Sequence, residues 1–419
     1  MEKESPMKFL FITNSFPPTY DQTSIRALEI SKNILDLQLY PIILTPKLLK
    51  RSYKDPKLVK NIPSTIKIVR TPCLEIKKKY SIKSLIVKIG QNFFNFFSYI
   101  SWIPFGYLIG KRILKNNKNI KFIYCTGPPF DSHIIAYLLK KRFHIPLIIE
   151  YRDPWSFSPY RTKRFLLNHI INLVLEKKIL NSANIIITNS PELNKFLKSK
   201  FPFIKSKPIH SVPNGLNIRY SKPYQKKEKK KIRFVFTGQL YGKRNPLPLL
   251  MIISKLNENQ LFKNLDFKFK IFGRYNKDLL RIIVKKLDIE DLIYLGDFIS
   301  QEKVFEEVYK SDLAVHIGEN LNYPTIAFKV WDYLSCGKKL IYLGREDSYT
   351  AKFLLKKNIG FTIPINDLSK GLKTFENILD GILNENINLK IEEKQIENFS
   401  WSKRIKSLGQ HIKENLNLD

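Results

Sequence analysis

The chain has 419 residues, of which 43% are hydrophobic and 26% charged, so it is long enough for two or three domains and too apolar to be disordered throughout. Lys and Arg number 72 against 37 Asp and Glu, a formal net charge of +35. Only 15 of the 72 basic residues are Arg, and bidentate reading of DNA bases depends on Arg. The excess of lysine therefore fits an anionic membrane surface better than sequence-specific DNA binding.

Several familiar kinds of site are missing from the sequence. The three cysteines, Cys73, Cys125 and Cys336, are odd in number and widely separated, which excludes a disulfide framework and a CxxC metal site. No GxGxxG, P-loop, DxD or GxSxG motif occurs, and the six histidines show no metal-ligand spacing. The first twenty residues do not resemble a signal peptide, so we expect a reducing, cytoplasmic location.

The first half of the chain alternates short apolar runs with amphipathic helical stretches. In the first helical stretch Ser24 is the expected N-cap, and apolar residues recur with helical spacing as far as Leu37. Near-continuous apolar strands separated by helices predict a parallel sheet covered on both faces. The predicted strands are Lys8–Thr13, Pro41–Thr45, Ile66–Arg70, Lys121–Cys125, Pro146–Tyr151, Asn184–Thr188 and Pro208–Val212.

The lysine-rich segment 225–231 is predicted to be a linker, although an exposed loop within one large domain would have the same composition. After it the alternation resumes with predicted strands Ile232–Thr237, Phe267–Phe272, Leu292–Leu295, Asp312–Ile317 and Lys339–Leu343. We therefore predict a first domain over 1–224, a second over 232–395, and a C-terminal helix over 396–419 that crosses back to the first. Two doubly wound α/β domains would place a ligand cleft where the carboxyl ends of their strands face each other.

One segment, 89–110, carries no charge over 22 residues and is flanked by Lys88 and Lys111. Its length would span a bilayer, but five Gln, Asn and Ser side chains and Pro104 disfavour a lipid-facing helix. A pair of buried helices is a second interpretation. A third is an aromatic element lying in the membrane interface, where Phe, Tyr and Trp settle at the depth of the headgroups.

In the second domain a glycine turn follows the strand Ile232–Thr237. Gly238 lies in this turn, and Lys243 and Arg244 precede the next predicted helix. Backbone N–H groups and the helix dipole attract anions at such a place, and a guanidinium can hold two phosphate oxygens. The pattern predicts an anion site, although a solvated basic turn would look the same.

Residues 323–337 predict a helix that ends at Gly337. Helical projection puts Lys329 and Asp332 about 60° apart, on the side opposite the apolar stripe. This pair could bind a diphosphate and the ribose hydroxyls of one nucleotide. The alternative is an ordinary surface ion pair.

In the first domain three loops follow predicted strands, at 14–20, 126–133 and 151–155. Their prolines, Pro18 among them, favour stiff turns. Asp131, His133 and Asp153 are candidates for binding a substrate hydroxyl because they can accept hydrogen bonds or protons. A histidine in a loop is also commonly structural.

Taken in order, these motifs resemble the bacterial glycosyltransferase family 4 of GT-B fold, particularly its cell-surface polysaccharide branch. The first-domain pieces are FPP (16–18) with Arg26 behind it, TGPPFDSH (126–133), IPLIIEYRDPW (145–155), NIIITNS (184–190) and VPNG (212–215). The later pieces are FTGQLYGKRNP (236–246), YPTIAFKVWDYLSCG (323–337) and FSW (399–401). The resemblance extends over nearly the whole chain.

The resemblance implies two Rossmann-like domains and a retaining sugar transfer from a nucleoside-diphosphate sugar to a hydroxyl, with no cofactor and no tightly held metal. Arg244, Lys243 and Lys329 would neutralise the departing diphosphate, and Gly238 and Asp332 would complete the donor site. Asp131 or His133 would orient the acceptor hydroxyl. The acceptor side as a whole would comprise Pro18, Arg26, Asp131, His133 and Asp153.

The expected partners are the sugar nucleotide, a glycan or lipid-linked acceptor, and the anionic inner face of the plasma membrane, with no nucleic acid. The sequence departs from the family pattern at Asp21-Gln22, where a glycine pair is usual, and at Pro324, where the first of two glutamates is usual. Three other functions remain open: a sugar-nucleotide epimerase of the same fold, a basic nucleic-acid-binding protein, and a non-catalytic membrane-binding member.

Overall fold

The computed structural model describes residues 6–47, 53–74, 99–158, 166–218, 231–240, 244–263, 265–319 and 323–418. The chain forms two compact units: unit 1 comprises residues 1–214 and 401–419, and unit 2 comprises residues 215–400. The predicted linker lies outside the described residues except for Lys231, which begins a strand. Lys243 and residues 89–98 of the uncharged segment also lie outside them.

Unit 1 is built on a seven-stranded parallel sheet in the order β3-β2-β1-β4-β5-β6-β7. Each strand predicted in the first half of the chain overlaps one of these strands. The order changes direction between β1 and β4, and open α/β sheets bind ligands at the carboxyl ends of strands at such a point. The strands are β1 (Met7–Ile12), β2 (Leu39–Pro46), β3 (Lys67–Thr71), β4 (Ile120–Gly127), β5 (Leu147–Tyr151), β6 (Ile185–Thr188) and β7 (Ile209–Ser211).

Helices cover both faces of this sheet, as the apolar strands predict. Leu10 and Ile12 of β1 pack into one core, while Phe9 points to the other face and stacks on Phe122 with ring centroids 4.7 Å apart. The helices that precede unit 2 along the chain are α1 (Gln22–Asn33), α2 (Ile103–Asn116), α3 (Asp131–Phe143), α4 (Leu166–Ser182) and α5 (Pro191–Lys200).

The start of α1 differs from the prediction. Ser24 is not the N-cap: Asp21 is, and its carboxylate accepts the backbone N–H of Ser24 at 2.7 Å. The other oxygen of Asp21 accepts the hydroxyl of Ser15 at 2.7 Å. Asp is among the best N-cap residues because its side-chain oxygen satisfies one of the four N–H groups that a helix leaves unpaired. Asp and Ser are comparable as caps, and the helix begins three residues earlier than predicted because the extended backbone of Asp21 places its carboxylate at the first turn.

The described part of the uncharged segment, residues 99–110, enters α2, which packs against α3. Gly106 and Gly110 face this contact, since a Cβ atom on them would lie 2.5 Å from Ile135 Cδ1 and 2.7 Å from Leu139 Cδ1, respectively. Glycine is thus required here for the close approach of two helices. Within the described residues, no helix is both long enough and apolar enough to cross a membrane.

Unit 2 contains a six-stranded parallel sheet in the order β10-β9-β8-β11-β12-β13. Five of its strands coincide with predicted ones, whereas β13 was not predicted. The strands are β8 (Lys231–Gln239), β9 (Asp266–Arg274), β10 (Ile293–Leu295), β11 (Leu313–Ile317), β12 (Leu340–Gly344) and β13 (Gly360–Pro364). The helices are α6 (Leu247–Glu258), α7 (Lys277–Lys286), α8 (Gln301–Lys310), α9 (Phe328–Leu334), α10 (Tyr349–Lys356), α11 (Leu368–Leu383) and α12 (Glu393–Glu397). The prediction of two doubly wound α/β domains is confirmed.

The helix predicted over 323–337 is shorter than expected, because α9 begins only at Phe328. Ala327 has extended backbone angles (φ −61°, ψ 142°), and Pro324 disfavours helix in the residue before it. After the helix, Gly337 adopts φ +73°, a conformation that favours glycine. The neighbouring Lys338 is buried and donates to the carbonyl oxygens of Val308, Tyr309 and Ser311 at the end of α8.

The last helix, α13 (Trp401–Leu416), belongs to unit 1 and packs against α1. Gly409 makes this contact close: a Cβ atom there would lie 2.1 Å from Leu37 Cδ1. Further along, the His411 ring stacks on His210 with centroids 4.0 Å apart. The chain therefore leaves unit 1 after Asn214 and returns to it at Trp401.

Candidate functional site

In unit 2 the carboxyl end of β8 lies very close to the end of β9. Gly238 pairs with Gly273, which has φ +143°, and a Cβ atom on Gly273 would lie 1.6 Å from the carbonyl oxygen of Gly238. Tyr333 of α9 supports the same strand end: its buried hydroxyl accepts the N–H of Thr237 and lies 3.0 Å from the Thr237 carbonyl oxygen. Burial raises the pKa of Tyr333 to about 12, so this hydroxyl stays protonated. The Gly238 backbone is thus held rigidly at the edge of the candidate site.

Unit 2 contains two ion pairs among the candidate residues. One joins residues that follow β8 and β11, and the other lies on α9. The guanidinium of Arg244, which follows β8, lies 3.2 Å from the Glu319 carboxylate, which follows β11; their side chains are 25% and 9% exposed. On α9 the ammonium of Lys329 lies 3.8 Å from the Asp332 carboxylate. The predicted proximity of Lys329 and Asp332 on one helix face is therefore present, and Glu319 is an additional partner that the sequence did not assign.

His316 of β11 connects these two ion pairs electrostatically. Its pKa falls to about 3 because the ring is buried and because Arg244 and Lys329 are close enough to repel a proton. The imidazole stacks on Tyr342 of β12 at a centroid distance of 5.8 Å. His316 is therefore neutral at ordinary pH, and Arg244 and Lys329 each lie near enough to it to lower its pKa. Sequence reasoning missed His316 because it lies inside an apolar strand.

In unit 1 the conspicuous feature is a buried ion pair between α1 and β5. Arg26 donates to Glu150 Oε1 through Nη2 at 2.6 Å and Nε at 3.0 Å, and both side chains are fully buried. Arg26 also donates to the Asn214 side chain at 3.0 Å and the Val212 carbonyl at 2.8 Å, and its guanidinium lies over the Trp401 ring. Burial raises the pKa of Glu150, but the Arg26 charge, the hydrogen bonds from Arg26 and Thr126 and the Arg152 charge together hold that pKa below its usual value. The structure gives Arg26 these internal partners, and its predicted place on the acceptor side stays a prediction.

Asp131 and His133, at the start of α3, are also fully buried. Asp131 accepts a hydrogen bond of 3.3 Å from the Asn14 amide, and burial raises the pKa of its carboxyl group to about 8. The imidazole Nε2 of His133 donates to the Glu150 carbonyl oxygen at 3.1 Å, and burial lowers the pKa of His133 to about 3. Both side chains are therefore neutral near pH 7. Asn14 was not predicted, since nothing in its local sequence distinguishes it from other loop residues.

Pro18 and Asp153 differ from the other acceptor-side candidates because each is partly exposed. Between Asp153 and the core, the buried Arg152 donates to Thr23 at 2.8 Å and to the carbonyl oxygens of Gly127 and Pro128. Arg152 thus ties the loop after β5 to the loop after β4. Of the five predicted acceptor-side residues, the structure brings Asp131 and His133 together in the core and leaves Pro18 and Asp153 accessible.

The raised pKa of Asp131 predicts a particular dependence of stability on pH. A carboxyl group with a higher pKa in the folded than in the unfolded protein stabilises the fold below its unfolded pKa, and this contribution is lost as the pH rises toward 8. Asp131→Asn should remove the effect. We expect the variant to gain stability over the wild type by roughly 1.4 kcal/mol per pH unit between about pH 5 and pH 8.

Urea unfolding of both proteins across this pH range measures the difference. Asp36→Asn is the matched control, because Asp36 is exposed; its pH profile should follow that of the wild type. If the free energies of unfolding of Asp131→Asn and the wild type differ by the same amount at every pH from 5 to 9, the assignment of a neutral Asp131 is contradicted.

Known proteins resemble this chain in part of its sequence and in its fold. Residues 68–220 match the sequence family described as Glycosyltransferase Family 4, and no curated protein matches the chain. Sucrose-phosphate synthase from Thermosynechococcus elongatus has a similar structure, with TM-score 0.66 and 12% identity over 99% of this chain and 100% of that one. Anabaena Alr3699/HepE in complex with UDP gives TM-score 0.59 and 13% identity over 98% and 100%. The lipopolysaccharide outer core galactosyltransferase WaaB gives TM-score 0.60 and 12% identity over 97% of this chain and 99% of that one.

These findings agree with the resemblance noted in the sequence, at the level of fold and of one sequence segment. The two parallel α/β sheets correspond to those of GT-B glycosyltransferase structures. This chain therefore has the Rossmann-like domains of the GT-B fold, and its residues 68–220 are similar in sequence to Glycosyltransferase Family 4.

Proposed function

We propose that this protein is a retaining glycosyltransferase that moves a sugar from a nucleoside-diphosphate sugar to a hydroxyl group of a glycan or lipid-linked acceptor. Its setting would be the synthesis of bacterial surface polysaccharide, with the enzyme in the cytoplasm and peripheral to the plasma membrane. Support comes from the family segment, from the fold, and above all from the charged side chains at the carboxyl ends of β8 and β11.

The observation that carries the proposal is the grouping of Arg244 and Lys329 around the neutral His316, with Asp332 beside Lys329. Two cations that share one neighbourhood suit the two phosphate groups of a sugar nucleotide. A carboxylate next to them can accept hydrogen bonds from ribose hydroxyls. Because Gly238 has no side chain, the strand end adjoining Arg244 presents backbone to the ligand.

These groups would contribute to catalysis mainly through electrostatic stabilisation of the leaving group. As the bond between the sugar and the diphosphate breaks, negative charge grows on the departing phosphate oxygen, and preorganised cations stabilise that charge. Arg244 and Lys329 would supply this stabilisation, together with Lys243. In front-face retention the departing phosphate itself takes the proton of the acceptor hydroxyl, so a strongly basic side chain is not needed.

On the acceptor side, the accessible residues Pro18 and Asp153 are the ones we propose to contact the acceptor. Asp131 and His133 would support these residues from the core. Asp131 accepts a hydrogen bond from Asn14, His133 donates to the Glu150 carbonyl oxygen, and both side chains are neutral. Arg26 would likewise support the loop after β5 through Glu150. Correct positioning of the acceptor hydroxyl is a substantial part of the rate acceleration in transfer reactions.

The comparisons support this assignment without identifying the substrates. HepE was solved with UDP and with UDP-glucose, and WaaB is described as a galactosyltransferase of the lipopolysaccharide outer core. The bound nucleotides are those of HepE, and the galactosyltransferase description is that of WaaB. They make a sugar-nucleotide donor and a surface-glycan acceptor reasonable choices for the first experiments on this chain.

The test is a thermal-shift and product-release screen over UDP-, GDP- and TDP-sugars, with CMP-sugars as donors that lack a diphosphate. We expect one diphosphate donor to raise the melting temperature. Asp332→Asn should weaken the binding of that donor by about tenfold or more, because it removes a charged hydrogen bond. Asp278→Asn, an exposed carboxylate of unit 2, is the matched control. The anomeric configuration of the product, read by proton NMR, tests retention, and unchanged activity in EDTA tests independence from metal.

The outcomes separate the competing functions. Conversion of the donor to its epimer without an acceptor would identify an epimerase instead. No response to any donor, or an equal response in Asp332→Asn and the wild type, would overturn the donor site.

A further inference from the structure

We propose that unit 1 docks on anionic lipid bilayers through one surface, formed by α4 and by the segment from α5 to Lys205. This surface, called here the α4–α5 face, comprises the apolar side chains of Ile170, Val174 and Phe203 and the lysines Lys177, Lys178, Lys200 and Lys205. The inference rests on the proposed function only in that a lipid-linked acceptor would require the enzyme at a membrane.

The first part of the face is the exposed stripe of α4. Ile170, Val174, Lys177 and Lys178 are exposed and fall at helical spacings i, i+4, i+7 and i+8, which places them on one side of the helix. Ile170 and Val174 are each 46% exposed. The only acidic residue of α4, Glu176, is buried and accepts the backbone N–H of Ser156 at 2.9 Å. This side of α4 therefore combines apolar and cationic groups without an exposed carboxylate.

The second part is the short helical turn Pro202–Ile204 that follows α5. Phe203 in this turn is 42% exposed, and Lys200 and Lys205 on either side of it are exposed as well. The turn is fixed to the end of α4, because the Lys207 ammonium donates to the Asn181 and Ala183 carbonyl oxygens, each at 2.8 Å. The two parts of the face are therefore joined by these hydrogen bonds.

Aromatic contacts link α4 to the turn through Phe201, which is buried in the core. His169 of α4 lies 5.8 Å from Phe157, Phe157 lies 5.7 Å from Phe201, and Phe201 lies 6.1 Å from Phe203, measured between ring centroids. The ammonium of Lys200 sits over the Phe157 ring at 5.3 Å. These contacts connect the two parts of the face beneath the surface, and Lys200 adds a cation above Phe157.

Charge and polarity together select the partner. Across α4 and residues 191–207 the partly exposed acidic side chain is Glu192, which pairs with Lys195 at 3.8 Å, whereas six further lysines lie in the same stretch. Anionic headgroups attract clusters of lysine, and Phe, Ile and Val can enter the boundary between headgroups and acyl chains. A nucleic acid backbone would pair with the lysines but would leave the apolar side chains in water. The combination fits a lipid surface.

The test uses the full-length protein and co-sedimentation with vesicles at about 0.1 M salt, where charges act over about 10 Å. Vesicles of phosphatidylcholine containing phosphatidylglycerol are compared with pure phosphatidylcholine. We expect binding to the first and little to the second. Lys177→Gln, Lys178→Gln, Lys200→Gln and Lys205→Gln combined should weaken binding by at least about tenfold.

Two further variants sharpen the result. The matched control replaces four exposed lysines of unit 2, Lys285, Lys286, Lys356 and Lys357, by Gln, which changes the net charge equally; its binding should stay within about twofold of the wild type. Ile170→Ser, Val174→Ser and Phe203→Ser combined should abolish the binding that persists in high salt. Circular dichroism establishes that each variant is folded.

The inference is overturned if the wild type does not bind the anionic vesicles, if the control variant is weakened as much as the four-lysine variant of unit 1, or if single-stranded RNA is bound and vesicles are not. The donor screen is run in parallel on the same proteins. Vesicle binding without any donor response would remove the proposed function and leave this surface assigned. A donor response without vesicle binding would support the proposed function and remove the assignment of this surface.

Discussion

Replacing Arg26 with Met should lower the free energy of unfolding by about 3–5 kcal/mol, the effect of removing one partner from a buried ion pair. Methionine fills most of the space of the arginine stem but cannot donate to Glu150, Asn214 or Val212. The Glu150 carboxylate would then be buried without its cationic partner, although the hydroxyl of Thr126 would still donate to its other oxygen. Urea unfolding followed by tryptophan fluorescence measures the loss, because Trp102, Trp155 and Trp401 all lie in unit 1.

Two companion variants test the cause. Arg26→Met with Glu150→Gln should recover part of the lost stability, since a neutral amide costs less to bury than an unpaired carboxylate. Arg26→Lys should lie between Arg26→Met and the wild type, because an ammonium keeps the charge but not the geometry of the guanidinium. A loss below about 1 kcal/mol for Arg26→Met would contradict the importance assigned to the pair.

Replacing Arg244 with Ala should reduce kcat by about 10²–10³, the range found when a group that stabilises transition-state charge is removed. We also expect a weaker response to inorganic pyrophosphate, which carries the diphosphate group shared by the UDP-, GDP- and TDP-sugars of the screen. Arg281→Ala is the matched control, because Arg281 is an exposed arginine of unit 2 in a surface ion pair with Asp278. Its kcat and its pyrophosphate response should equal those of the wild type.

The ion pair of Arg244 with Glu319 requires one more control. In Arg244→Ala the Glu319 carboxylate, which is 9% exposed, loses this partner, so the fold itself could be weakened. The double variant Arg244→Ala with Glu319→Gln removes that charge. If activity returns in the double variant, Arg244 acts by balancing Glu319; if it stays low while the melting temperature recovers, Arg244 acts on the substrate.

Much of the fold could be predicted from the sequence because buried parallel strands are continuous apolar runs. Strands such as β1 and β4 have this character along nearly their whole length. The strand β13 was missed, since Gly360 and Pro364 occupy its two ends and both residues are typical of loops. The cap of α1 was assigned to Ser24 because both Asp21 and Ser24 are capping residues, and only the backbone geometry decides between them.

The candidate site was predictable only where spacing along one element determines proximity. Lys329 and Asp332 lie three residues apart in the sequence, so helical geometry alone brings them close. Arg26 and Glu150 are 124 residues apart, and Arg244 and Glu319 are 75 apart by their numbers; these pairs depend on how strands are ordered in the sheets. The neutrality of Asp131 and His133 depends on burial, which a loop sequence does not reveal.

The return of α13 to unit 1 has a consequence for biosynthesis. Unit 2 is one uninterrupted stretch inserted into unit 1, so its sequence leaves the ribosome complete before the final helix of unit 1 has been made. A chain arrested after Ser400 would contain the whole insertion, yet Leu37 would lack Gly409 and Arg26 would lack the Trp401 ring. The domain that begins first in translation is therefore the one completed last.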